Sequence, residues 1–431
     1  MRFIHFDEAK KAATTDVRRW IGTSSQDLRA MLIVDLFGKI RLAIWSSVAA
    51  DTSGLAENLV ANCGAWWTGE VLHVTGLDVV TAKVYDSAWD STRRDDSEPR
   101  FCVHDRHRSR TAWFSGPVDP IWDASGNEPP VVVFYSFKGG LGRSTLLASF
   151  AIQRARAGER VCVVDFDLDS PGAGRLLSAD SEGLTASWGV VDFLLERSLG
   201  EAPLADYFHR CDRVASAGEI VVFPAGKLDE EYADKLARID LEEAPEAHDS
   251  GLWKLLTRIR DELKPRWILL DARTGISEPA GQLLSGIAHL HVLLGTTQDQ
   301  SWQGLNVVLD RLGKERVLAE RPQAEVLLVQ AMVPSGEPGK VAKQVFSARA
   351  EEEFDDRFYA AEAGDPNIDD RFWTLGDKGT QDAPHAPMPV DYDSQLASFG
   401  DIAEVADALC SGPYPAIVER IVSRFLTEPE A

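Results

Sequence analysis

From residue 131 onward, hydrophobic and polar positions alternate between two kinds of segment. Short apolar runs, broken only by His291, recur at Val131–Tyr135, Val161–Val164, Ile220–Phe223, Trp267–Leu270, Leu290–Leu294, Val326–Val329 and Pro387–Val390. Runs of this length, mostly β-branched or aromatic and without polar alternation, predict strands covered by helices on both faces. Between them, apolar residues return at helical spacing: Leu146, Leu147, Phe150 and Ile152, closed by Gly158, then Leu252, Leu255, Leu256, Ile259 and Leu263. Further helices are predicted over Trp188–Arg197, Ser301–Leu312, Val341–Glu353, Ile402–Ser411 and Pro413–Leu426. Strand and helix in alternation predict an α/β fold, a doubly wound and mostly parallel sheet.

The first 127 residues follow a different pattern. Seven of the 12 tryptophans lie there (Trp20, Trp45, Trp66, Trp67, Trp89, Trp113, Trp122), a density that disordered segments lack. Ile40–Ser46, Val71–Val74 and Val79–Tyr85 read as strands, and Asp51 to Gly54 reads as the cap of a helix over LAENLVANCG. A smaller α/β domain over 1–127 is expected, joined through the turn-rich SGNEPP (Ser125–Pro130) to a domain over 128–431. The long acidic stretch Lys227–Ser250 reads as a partly helical surface insert, with a dimer or partner contact as the alternative, and Glu351–Lys378 as a surface loop.

Charge narrows the partners. With 45 Lys+Arg against 68 Asp+Glu, the net charge is -23, a field that repels phosphate backbones and argues against non-specific nucleic-acid binding. The basic run Arg106–Arg110, with Arg93 and Arg94, reads as pairing with acidic faces; His104, Asp105 and His107 fit no standard metal spacing. Five scattered cysteines without CxxC spacing suit reduced thiols. No apolar run reaches membrane-spanning length, and the start has no signal-peptide core, so a cytoplasmic protein without membrane attachment is expected.

The candidate chemistry sits between the first two buried runs of the larger domain. After Val131–Tyr135 comes a glycine-rich turn, Lys138, Gly139, Gly140, Leu141, Gly142, Arg143, Ser144 and Thr145, which opens directly into a helix. Glycines let the main chain wrap a phosphate with its N–H groups inward, and the helix N-terminus adds its positive dipole end. A hydroxyl directly after the turn, Ser144, is placed to ligate magnesium. Carboxylates end the neighbouring strands: Asp165, Asp167 and Asp169 after Val161–Val164, and Asp271 after Trp267–Leu270. The common phosphate-loop pattern, G-x-x-x-x-G-K-[ST], is broken twice, because Phe137 stands at its first glycine and Arg143 at its lysine.

FYSFKGGLGRS resembles the deviant phosphate loop of the ParA/MinD-type ATPases, K-G-G-x-G-K-[ST], and within it the KGGVGR branch whose second lysine is arginine. VVDFDLDSPG, WGVVDFLLE, VVFPAGKLDEEYADKL, WILLDARTGISE, HVLLGTTQDQS and MPVDYDSQLA resemble later segments of the same family in the same order, from about Glu128 onward. The resemblance implies ATP and Mg2+ as ligands, bound by Lys138 through Thr145, with Ser144, Asp165 and Asp271 around the metal. It implies Asp167 as the residue positioning the attacking water, and Lys138 as a catalytic lysine reaching the partner subunit's nucleotide in an ATP-dependent homodimer. The expected function is an ATPase acting as a dimerisation switch on an unidentified protein partner, in a bacterial conflict or regulatory system. Alternatives left open are a nucleotide-binding regulator with little hydrolysis, a DNA-partitioning ATPase and a tyrosine kinase. Gln330-Ala-Met-Val-Pro lacks the family's base-contacting asparagine, so no adenine contact is assigned.

Overall fold

The computed structural model describes residues 4–47, 50–92, 94–95, 97–107, 111–124, 128–197, 199–200, 202–239, 241, 250–360, 372–380 and 382–425. The chain divides into two compact units, Met1–Ser109 and Arg110–Ala431. The break falls ahead of the expected 127/128 boundary, because the segment after residue 110 packs with the second unit, as described below.

The first unit is a five-stranded mixed sheet ordered β3-β2-β1-β5-β4, where β1 is Arg29–Val34, β2 Ile40–Trp45, β3 Trp67–His73, β4 Arg94–Asp95 and β5 Glu98–Asp105. Period-two alternation divides β1 between two cores. Ala30, Leu32 and Val34 join helices α1 (Phe6–Gly22) and α2 (Ser53–Cys63), whereas Met31 and Ile33 join Trp89 of α3 (Val79–Ser91). In α1, Ala9, Ala13, Val17 and Ile21 repeat every four residues and are fully buried.

The strand expected at Val79–Tyr85 is therefore a helix. Its β-branched residues favour a strand locally, but Asp78 accepts from Val80 N and Thr81 N as an N-cap, and Trp89 packs on Trp45 at 5.3 Å. Val79, Val80 and Val84 remain exposed. His104 Nδ1 faces Thr92 Oγ1 at 2.8 Å, while His107 lies 3.6 Å from Asp105. Among the described residues no group of three or more His, Cys, Asp or Glu is arranged to hold a metal. Arg93 and residues 108–110 of the basic run lie outside the described residues.

The second unit carries an eight-stranded sheet ordered β13-β12-β11-β6-β10-β7-β9-β8, parallel except for the short edge strand β8. Its strands are β6 (Val131–Ser136), β7 (Arg160–Phe166), β8 (His209–Arg210), β9 (Glu219–Phe223), β10 (Trp267–Ala272), β11 (Leu290–Gly295), β12 (Val326–Val333) and β13 (Met388–Asp391). Alternate residues feed two cores: Val131, Val133 and Tyr135 enter one, Val132 and Phe134 the other, beneath helix α4 (Arg143–Arg156). This is the doubly wound arrangement expected from the sequence.

Three local differences have physical causes. The helix expected from Trp188 begins at Val190, because Gly189 lies against the 224–226 turn, where an added Cβ would sit 2.1 Å from Pro224 O. The helix starting at Glu337 runs to Arg357, past the expected end, because Phe346, Ala350 and Phe354 continue one buried face. The single helix expected over Ile402–Ser411 breaks into a short helix, Ile402–Val405, and a 3-10 turn, Ala408–Cys410. Lys227–Ser250 contains a helix at Tyr232–Arg238; residues 240 and 242–249, like 361–371 and 125–127, lie outside the described residues. All five cysteines are free thiols. Among the described residues no helix is long and apolar enough to cross a membrane.

Candidate functional site

Strands β6, β7, β10 and β11 run parallel, so their carboxyl ends open on one side, where such sheets bind ligands. The glycine turn leaves β6 there. Gly140 and Gly142 adopt φ of +77° and +81°, and a Cβ at Gly139, Gly140 or Gly142 would meet nothing within 4 Å. The left-handed conformations need glycine, and the open space beside the backbone leaves room for an anion to approach the N–H groups. Ser136 Oγ donates to Lys138 O at 2.8 Å, tightening the base of the turn.

Phe137, at the position of the missing first glycine, is an anchor. Its ring fills the space above Gly304 so closely that a Cβ there would lie 1.9 Å from the ring. The turn is thereby fixed to the helix Asp299–Leu312. Lys138 Nζ donates to Gln298 Oε1 at 2.8 Å, one residue ahead of that helix.

The helix α4 begins at Arg143, and this side chain organises the site. Arg143 Nε donates to Asp271 Oδ1 at 2.6 Å; Nη2 donates to Asp167 Oδ2 at 2.9 Å and more weakly to Asp271 Oδ2 at 3.4 Å. Ser144 Oγ donates to Asp271 Oδ2 at 2.7 Å. Arg143 is 9% exposed and Asp271 fully buried. Burial works against the guanidinium's charge, but Asp271 and Asp167 outweigh it and hold Arg143 more firmly protonated than usual. Burial likewise raises the Asp271 carboxyl, opposed by Arg143 and Ser144. The planar fork of arginine reaches both carboxylates at once.

Asp165, expected beside the metal, braces the turn after β7. It is fully buried, and its Oδ2 accepts from Gly172 N and Gly174 N, both at 3.0 Å, shaping the turn after β7. Burial, with Asp271 beside it on the neighbouring strand, pushes its carboxyl up to about 7. One of its oxygens is committed to two backbone amides.

Arg273, two residues beyond Asp271, pairs with Asp167 at 3.3 Å and Asp169 at 3.0 Å. Sequence reasoning gave it no role, although a cation in the turn after an acidic strand end was a visible signal. Tyr135 OH donates to Gly275 O at 3.2 Å, bracing the same turn, and Gln298 is a further partner the sequence did not flag. Beside the glycine turn, Leu141, Gly142, Thr145, Met332, Tyr392 and Tyr414 help line a small hollow of about 60 Å³.

The residues fit a polyphosphate. The turn is open, and Arg143 Nη1 is buried without an acceptor, a donor left over for an anion. For a hard cation the donor set is Ser144 and Asp271, a hydroxyl and a carboxylate in mutual contact, which suits magnesium bound chiefly by water and phosphate oxygens.

No family model matches the chain, and no curated protein matches it. Its neighbours among solved structures are ParA/MinD-family ATPases. They include a plasmid partition protein from Borrelia burgdorferi bound to AMPPNP (14% identity, 69% of this chain and 99% of that one, TM-score 0.44). MinD from Aquifex aeolicus is similar over 70% of this chain and 99% of that one (16% identity, TM-score 0.42). A ParA family ATPase from Chlorobium tepidum is similar over 69% and 99% (15% identity, TM-score 0.41).

Proposed function

We propose that the second unit binds ATP with Mg2+ at the glycine turn and hydrolyses it, as a dimerisation switch acting on a protein partner in the cytoplasm. The observation that carries this reading is the single network joining Arg143 and Ser144, at the start of α4, to Asp271 and Asp167 at two strand ends. The residues divide the work. Backbone amides of residues 139–145 cradle phosphate oxygens, and Arg143 neutralises them. Ser144 and Asp271 would hold magnesium, which neutralises charge developing on the phosphates. Asp167 orients the attacking water, kept in place by Arg273. Lys138, at the rim and held by Gln298, is the group free to neutralise the nucleotide of a second copy. Asp165 braces the turn after β7 and would stand beside the metal.

A second reading, a nucleotide-binding regulator with little turnover, is favoured by one specific observation: Arg143 ties up both Asp271 and Asp167, so its guanidinium restrains the water-orienting carboxylate. One experiment separates the two readings. The purified chain is incubated with Mg·ATP, phosphate release is followed, and mass is measured by light scattering. Turnover with an ATP-dependent doubling of mass supports the switch. Dimerisation without phosphate release favours the regulator. Absence of nucleotide binding refutes both.

A further inference from the structure

We infer that Trp113, from the segment just ahead of β6, is a positioning residue for the loop that follows Asp271. This rests on the nucleotide reading above and extends it to a part of the chain that carries no phosphate-binding motif.

The loop runs from Asp271, in the carboxylate network, to Ser277 and Glu278, where a short helix begins (Glu278–Gln282). Arg273 holds its early part to Asp167, and Tyr135 OH holds Gly275 O. Its far end is held by residues 111–113. Trp113 Nε1 donates to Ser277 O at 2.6 Å, and Ala112 N donates to Glu278 Oε1 at 2.8 Å. The indole packs so closely on Gly281 that a Cβ there would lie 2.7 Å from its Cδ1.

The segment is itself clamped. Val118 N donates to Ser285 O and Ile121 N to Ile287 O, both at 3.0 Å. Two buried arginines collect its carbonyls. Arg311 donates to Ala112 O, to Trp113 O at 3.0 Å and to Leu284 O at 3.1 Å; Arg316 donates to Val118 O at 2.7 Å. Burial lowers the pKa of both guanidiniums, so the clamp works against desolvation. A buried charge held mainly by carbonyls is a costly way to fix a segment that only links two units. The cost is understandable if the segment sets where Ser277 stands. With Asp271 and Ser277 both fixed, rearrangement of the loop is confined to residues 272–276, between the carboxylate network and the indole.

The test uses the full chain and Trp113→Phe, which keeps an aromatic ring on Gly281 but removes the donor to Ser277 O. Turnover and amide exchange are measured with and without Mg·AMPPNP for exchange and with Mg·ATP for turnover. The expected result is kcat reduced about tenfold with KM changed less than twofold, and amides 273–278 exchanging about tenfold faster. A role in stability alone would lower the melting temperature and leave kcat and the exchange of this loop unchanged. Protection of residues 138–150 by the nucleotide, with wild-type kcat and wild-type loop exchange in Trp113→Phe, overturns the role of Trp113 while leaving the nucleotide reading intact. No protection of residues 138–150 in the unsubstituted chain overturns the nucleotide reading itself.

Discussion

Replacing Arg143 by lysine separates what the guanidinium does from what its charge does. In this structure the fork reaches two carboxylates on different strands, Asp271 at 2.6 Å and Asp167 at 2.9 Å. An ammonium keeps the charge but has a shorter reach and lacks the fixed fork, so the contact to Asp167 is the one expected to be lost. The loss is one charge-assisted hydrogen bond in a nearly dry site, about 1.5–3 kcal/mol. Arg143→Met would leave Asp271 without its cation and Asp167 with Arg273 alone, and the cost rises to about 3–5 kcal/mol. Because the chain has two units, unfolding need not be a single step. Stability is therefore best read from native-state hydrogen exchange of the β10 amides.

A double-mutant cycle identifies the bond that is lost. Arg143→Lys, Asp167→Asn and the double variant should give a coupling energy of about 1–2 kcal/mol, within the range found for residues in one network. The same substitution should raise turnover several-fold, because Asp167 is freed to orient water. A coupling energy indistinguishable from zero would refute the bridge between the two carboxylates. A measurable coupling accompanied by lower turnover would keep the bridge and refute the restraint on chemistry, leaving Arg143 as a catalytic asset.

Three further outcomes follow from the geometry. Gly304→Ala drives a Cβ into the Phe137 ring and should cost about 1–3 kcal/mol as overpacking, weakening ATP binding measured by calorimetry; Phe137→Ala in the same chain should restore much of the loss, and no restoration would show that the two do not meet. Lys138→Ala should lower phosphate release severalfold in the dimer while nucleotide affinity of the monomer changes little; equal loss of both would place the lysine on its own nucleotide alone. His291, fully buried on β11, has its pKa pushed by burial from 6.5 to about 4. A folded value below the unfolded one means stability that is present above pH 6.5 and lost as pH falls toward 4, about 2 kcal/mol between pH 8 and pH 5. His291→Asn should remove that difference from the pH profile of unfolding, and an unchanged profile would place the acid sensitivity elsewhere.

How much of this was legible in the sequence depended on the range of the interaction that decides each feature. The buried strands of the larger unit were readable because a parallel sheet covered on both faces demands unbroken apolar runs, and the glycine turn because its backbone demands glycine. Val79–Tyr85 was misread as a strand because Val79, Val80 and Thr81 carry strand propensity, while the decisive terms are the Asp78 cap and a tryptophan pair 44 residues apart in the sequence. Within the site, the sequence placed the chemistry at three strand ends but could not divide the labour among the aspartates. Asp165, on β7, and Asp167, just past its end, differ by two positions, yet one accepts from the amides of Gly172 and Gly174 and the other faces Arg143. Nothing in the order of residues records that division, because the amides come from a turn whose course is set by packing.

The departures from the common phosphate-loop pattern are better understood as a matched set than as decay. Phe137 in place of glycine would leave a void or a clash unless the facing helix offered Gly304, and it does. Arg143 in place of lysine would leave a second donor group unmatched unless two carboxylates stood within reach of the same fork, and they do. Arg273 then balances the carboxylates that Arg143 alone cannot neutralise. The fit of each departing residue to a specific neighbour makes the glycine turn, the two acidic strand ends and the facing helix one packed unit.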